Sequence, residues 1–334
     1  MPSQSWATVR ADLERVVAET CPPEVAARIH CLVRQRAFQG PESGPLMDAL
    51  SAAHLRVRGP TVVMISGYRS SGHYWTDDLR HPDAPRTMVS PGVAQFTRVC
   101  TYDRPGTVAL IGEEELIGRS DAVAQPRTTP DAVAELHALL QAAGIPGPYV
   151  LAAHSWGGLV ARLYAATYPD EVTGLVLVDA YSEYVEALMP PERWTAMGRL
   201  NQELGSNTIF PIEGYGDLET VEYYADNGVV REAVAASPLP PMPLAVLAHG
   251  GAFSPPEEAL APYGLTAADV EASLRASYER LATLAPQARF FVAADSGHEI
   301  HQDQPELVTE AIRQVVEGVR HPDTWYDLTS CCAR

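Results

Sequence analysis

Residues 149 to 159 read Tyr-Val-Leu-Ala-Ala-His-Ser-Trp-Gly-Gly-Leu. The apolar run from Tyr149 to Ala153 predicts a buried strand, and the run from Leu159 to Tyr168, rich in helix formers, predicts a buried helix. A strand that becomes a helix within two residues forces its corner residue into a strained backbone conformation. The positions two residues to either side must then be small, because larger side chains would collide. Ala153 and Gly157 meet that demand. The corner is Ser155, with its hydroxyl projecting outward.

Outward from this corner, strands and helices alternate. Thr61 to Ser66, Arg98 to Tyr102, Val172 to Val178, Leu244 to Ala248 and Ala288 to Ala293 read as strands. Asp131 to Ala143, Thr266 to Leu284 and Glu306 to Arg320 read as helices. This order predicts an α/β fold, a mostly parallel sheet with helices on both faces. Two stretches break the alternation. Residues 107 to 130 read as a long irregular loop. Residues 182 to 241 carry helical segments near Arg193 to Leu204 and Leu218 to Ala236 and close on Pro238-Leu239-Pro240-Pro241, the composition of a separate helical lid.

Residues 1 to 55 read as a helical N-terminal extension. Trp6, Val9, Leu13, Val16 and Val17 form one stripe at helical spacing, and Val25, Ile29, Leu32 and Val33 form a second after Pro22-Pro23. A short third helix is expected around Leu46 to Leu50, and only Leu55 to Arg58 has the composition of a strand remnant. The stripes suit packing against the core or against a second copy, which leaves a homodimer open. The expected division is an extension over 1–55, a core over 56–181 and 242–322, and a lid over 182–241.

The net charge of −18 argues against nucleic acid as a partner, because its phosphates would be repelled. No apolar stretch reaches the ~20 residues that cross a bilayer. The N-terminus lacks the basic-then-apolar layout of a signal peptide, so a cytoplasmic protein is expected. Five cysteines in a chain of 334 residues make no disulfide framework, with Cys331-Cys332 expected as free thiols. No Cys/His spacing suggests a metal site, and no cofactor is expected.

A serine hydroxyl is a poor nucleophile at its own pKa and needs an adjacent base, itself oriented by a carboxylate. In open α/β sheets such groups collect beyond the carboxyl ends of the strands. The last strand leads into Asp295-Ser296-Gly297-His298, which makes His298 the expected base. His154 adjoins the serine but is expected to face away, and His301, one turn further on, is expected to cap the last helix.

Ala153-His154-Ser155-Trp156-Gly157 resembles the Gly-x-Ser-x-Gly nucleophile elbow of the α/β-hydrolase superfamily, with Ala in the first small position. Ser296-Gly297-His298 followed by Gln304-Pro305-Glu306 resembles its histidine loop and last helix, and Asp103-Arg104-Pro105-Gly106 resembles a turn it carries near the pocket. The resemblance runs from about Thr61 to Arg320, apart from the lid. It implies a serine hydrolase whose oxyanion hole takes one N–H from Trp156 and another from the loop Ser66-Gly67-Tyr68, with Tyr68 as donor although Ser66 replaces the usual histidine. Many relatives place the acid after the strand that here ends in His249-Gly250-Gly251. A second arrangement uses the preceding strand end, where Val178-Asp179-Ala180 offers Asp179. Asp295, Glu257 and Glu258 are the alternatives.

The implied reaction is hydrolysis of an ester, lactone or thioester of a small to medium apolar substrate through an acyl-enzyme. A C–C bond hydrolase of the meta-cleavage type and an acyltransferase of secondary metabolism share that chemistry. A hydrolase-fold ligand receptor with little turnover is the reading from another class.

Overall fold

The computed structural model describes residues 29–32, 59–111, 115–119, 123–203, 218–221 and 224–325. Nine strands lie in this part: β1 (Ile29–Leu32), β2 (Thr61–Ile65), β3 (Val99–Tyr102), β4 (Val108–Ile111), β5 (Glu115–Arg119), β6 (Tyr149–His154), β7 (Val172–Val178), β8 (Leu244–His249) and β9 (Arg289–Ala293). Seven of them form one sheet in the order β1-β3-β2-β6-β7-β8-β9. All its pairings are parallel except that of β1 with β3.

The central strands are buried on both faces, and their residues divide by pleat. Val63, Ile65, Leu151, Ala153, Leu175, Leu177 and Val246 join one apolar cluster, while Val62, Met64, Val150, Ala152, Val176, Val178 and Leu247 join the other. Period-2 alternation sends successive side chains to opposite faces. Helices α1 (Thr129–Ala142), α2 (Gly157–Thr167), α3 (Pro191–Glu203), α4 (Asn227–Ala236), α5 (Ala267–Leu281) and α6 (Pro305–Arg320) are those of ten residues or more. Residues of α1, α2, α4 and α5 cover the first face, and α6 covers the second through Val308, Ala311, Ile312, Val315 and Val316. A cavity opened at such a site, as by Leu151→Ala, costs about 2–5 kcal/mol.

Thr128 starts α1 with a reciprocal capping box to Asp131. Among the described residues no helix is long and apolar enough to cross a membrane.

The structure departs from the sequence reading in three places. Residues 29–32, expected on a helix, form β1, the antiparallel edge strand whose Ile29 stands opposite Tyr102 and Leu32 opposite Val99. The free edge of β3 is satisfied by this pairing, which outweighs the local helical spacing. The other expectations for residues 1–28 and 33–58 lie outside the described residues. Cys31 faces Cys100 in the same register, and Cys100 is disulfide-bonded. Residues 107–130 hold the antiparallel hairpin β4–β5 where an irregular loop was expected. The helix expected from Leu218 begins only at Asn227.

The described residues of 182–241 divide between two apolar clusters. Val185, Met189, Met197 and Leu200 form a small cluster with Leu260, Leu265 and Val270. Val221, Val230 and Ala233 belong instead to the main core.

Candidate active site

Ser155 sits between β6 and α2 with φ at +52°, in the left-handed region. The corner is held by its own backbone: the Ser155 N–H donates to Val178 O at 3.3 Å, and its carbonyl accepts from Gly158 at 2.9 Å and Tyr181 at 2.8 Å. A Cβ on Gly157 would stand 2.6 Å from the Ile65 carbonyl oxygen, and one on Gly158 2.6 Å from Ala180 Cβ. The two glycines therefore let α2 press against β2 and the end of β7. Ser155 is left partly accessible above a fully buried strand.

Asp179 follows β7 directly, with φ at +43° and its N–H donating to Leu247 O at 2.8 Å. Its side chain is fully buried, yet both oxygens are used. Oδ2 lies 2.6 Å from His298 Nδ1. Oδ1 lies 2.7 Å from His249 Nδ1 and accepts the His249 N–H at 3.0 Å. A carboxylate only accepts, so the proton on His298 sits on Nδ1, and in the neutral ring the lone pair is on Nε2. Burial works against the Asp179 charge, but the hydrogen bonds from His249 and His298 outweigh it and hold the carboxyl well below the usual range.

The sequence reading missed His249 as a partner of the site. Its Nε2 lies 2.8 Å from Glu271 Oε2, so the imidazole is clasped between two carboxylates. Burial opposes its charge, yet Asp179 and Glu271 raise its pKa to about 9. Glu271 also accepts the N–H groups of Phe253 at 2.8 Å and Ser254 at 2.6 Å through its other oxygen. That bond shapes the loop whose Phe253 ring stacks on His298, centroids 4.0 Å apart, with an exposed face. A cavity of about 320 Å³ opens behind His249, beside Glu271, Arg275 and Tyr278, and borders neither Ser155 nor His298.

His154 does not turn away from the site as expected. Its ring centroid is 4.5 Å from that of His298, and its Nε2 lies 2.9 Å from His298 O. Burial pushes its pKa down, so it is a neutral donor to that carbonyl. His301 is buried against Trp75, with centroids 4.6 Å apart, and caps nothing. His154, Glu299 and His301 bring three ligand atoms within 4.8 Å of one another. With the His154 Nε2 proton given to His298 O, the lone pair of this ring lies on Nδ1.

Of the alternative acids, Glu257 accepts the Ala267 N–H at 2.9 Å at the start of α5. The His298 Nδ1 meets the carboxylate of Asp179, not that of Asp295. The Asp103 carboxylate accepts the Gly72 N–H at 2.7 Å. The loop after β2 lies against the serine, since a Cβ on Gly67 would stand 3.0 Å from Ser155 Cβ. Ser66, where the histidine was expected, accepts from Trp75 Nε1 at 3.0 Å and donates to Ser71 O at 3.1 Å. Trp156 heads α2, where first-turn N–H groups have no acceptor within the helix.

The alpha/beta hydrolase family model matches residues 62–311. An uncharacterised protein of Schizosaccharomyces pombe is 33% identical over 172 residues, 44% of this chain and 30% of its own length. An AB hydrolase superfamily protein of Gibberella zeae is 24% identical over 303 residues, 78% of this chain and 87% of its own. A solved esterase from Thermogutta terrifontis is similar with a TM-score of 0.44 at 22% identity, covering 78% of this chain and 90% of its own. The chain thus spans under a third of the first relative and most of the second.

Proposed function

The chain belongs to the alpha/beta hydrolase family, and from that premise we propose that it is a serine hydrolase acting on an ester, lactone or thioester through an acyl-enzyme. The observation that carries this reading is Ser155 at a strained strand–helix corner, on the same sheet edge as a His298–Asp179 pair 2.6 Å apart.

In this reading Ser155 Oγ attacks the substrate carbonyl while His298 Nε2 takes its proton. Asp179 balances the imidazolium so formed and keeps Nδ1 protonated. The N–H groups of Trp156 and Tyr68 receive the developing oxyanion, each worth roughly 10²–10³ in rate. The tetrahedral species collapses, and the leaving group departs with the proton from His298. Water then repeats the sequence on the acyl-enzyme. The exposed face of Phe253 over His298 favours an apolar group next to the scissile bond. Helix α3 and the short helix Tyr184–Leu188 suit a lid, being anchored through their own apolar cluster.

Ser155→Ala is expected to abolish turnover of p-nitrophenyl esters with a nearly unchanged melting transition, and Asp179→Asn to lower kcat by on the order of 10⁴. A serine-directed phosphonate should label Ser155. Turnover retained in Ser155→Ala would overturn the proposal, and labelling without turnover would favour a receptor. A panel of graded acyl chain lengths then defines the substrate.

A further inference from the structure

The guanidinium of Arg104 is buried beneath the loop that follows β2. It donates through Nη1 to Ser66 O at 2.8 Å and through Nη2 to Gly67 O. Its Nε lies 2.6 Å from Glu219 Oε1, and its Nη2 lies 3.0 Å from Glu219 Oε2. That same Oε2 accepts the Arg69 N–H at 2.6 Å, and the Glu219 carbonyl accepts from Arg69 Nε at 3.2 Å. Glu219 is fixed in turn by its own N–H, which donates to Gly106 O at 2.9 Å. Arg69 has φ at +60°, a conformation that a non-glycine residue keeps only when its surroundings impose it. The face of the guanidinium lies over the Trp156 ring, 4.7 Å from its centroid. One buried ion pair therefore grips the Ser66–Arg69 loop at three backbone positions and touches the residue after Ser155.

A trans peptide points its C=O and N–H in opposite directions. With Gly67 O bound to Arg104, the Tyr68 N–H must point away from the guanidinium. Rotating that peptide would break the Nη2 bond and aim an N–H at a buried cation. Resting on the serine-hydrolase reading above, we infer that Arg104 and Glu219 are positioning residues that lock the Gly67–Tyr68 peptide with its N–H presented to the oxyanion. Glu219 comes from the segment 218–221, which lies between the lid helices and α4, so the oxyanion donor is set by a carboxylate 150 residues further along the chain. The pair makes no proton transfer and needs no contact with substrate.

The test compares Arg104→Lys, Glu219→Gln and the charge-neutral double variant Arg104→Met/Glu219→Gln in the full-length protein. The double variant removes both charges of the pair together, so that neither Arg104 nor Glu219 is left buried and charged without the other. Rates are taken per folded molecule, from thermal melts and from the stoichiometry of phosphonate labelling. The expected result is kcat lowered by roughly 10²-fold in the double variant, the scale of one oxyanion donor, with KM changed less than about threefold. Arg104→Lys, which keeps the charge but not the fork, should recover part of the rate. Affinity for a trifluoromethyl ketone, which forms an oxyanion on Ser155, should fall by the same factor as kcat. A purely structural pair would lower the melting temperature and leave the ketone affinity of the folded fraction intact, and that result overturns the inference. Unchanged kcat overturns it as well. If Ser155→Ala itself retains turnover, the serine-hydrolase reading has failed; if Ser155→Ala is dead and the pair variants are normal, only this inference has.

Discussion

Asp179 is asked to serve two imidazoles at once, and they differ in kind. His298 is partly accessible at the sheet edge, whereas His249 is enclosed by Asp179 and Glu271. The His249 pKa of about 9 in the folded protein exceeds the ~6.5 of an unfolded histidine. A raised folded value means that its charge stabilises the fold fully below about pH 6.5 and that the contribution is lost as pH rises through about 9. Urea melts from pH 6 to 10 should therefore show an alkaline loss of stability that flattens in His249→Gln. An equal alkaline slope in that variant would show that the loss belongs to other groups. The positions of Ser155, His298 and Asp179 at one sheet edge were readable because each is fixed by its neighbours in sequence: a strand end, a small residue, a turn. His249, Glu271 and Glu219 were not readable, since each reaches the site only through packing between distant elements. The sequence around His249 merely showed that the usual carboxylate was missing there.

Among the elements, the strands were legible wherever both faces are buried, as in β2, β6, β7 and β8, because continuous apolar runs leave little alternative. The edge strand β1 and the hairpin strands β4 and β5 were not, whereas the opposite edge strand, β9, was. The four residues of β1 owe their conformation to the open side of β3, and their spacing also fits a helix. Residues 182–241 show the same limit, since composition marked them as unusual but could not divide them. Helix α3 is held by a small satellite cluster, while α4 is fastened to the main core through Val230 and Ala233. Local opening follows the amount of apolar contact to be broken. Limited proteolysis should cut first within 184–203 and spare α4, and a phosphonate adduct on Ser155 should slow the cut. First cleavage inside β6, α2 or β7 would rule this out.

For the whole molecule, 42 acidic side chains against 24 basic ones set up a negative field that any substrate must cross. Such a field acts on encounter more than on the chemical step, and it is screened beyond ~10 Å at 0.1 M salt. A cationic ester should be processed with a higher kcat/KM than an isosteric anionic one at low ionic strength, and the ratio should shrink as salt is added. A ratio that ignores salt would place the preference in direct contacts instead. The grip of Glu219 on a loop 150 positions earlier has a further meaning for the chain as it is made. Synthesis runs from the N-terminus, so the elbow and Asp179 leave the ribosome well before the carboxylate that braces the loop, and His298 emerges after both. On the proposed serine-hydrolase reading, a chain that stops before His298 holds the Ser155 elbow without its base. On that reading, hydrolysis waits until the loop that carries His298 has been made, and chains cut short of it are chemically silent.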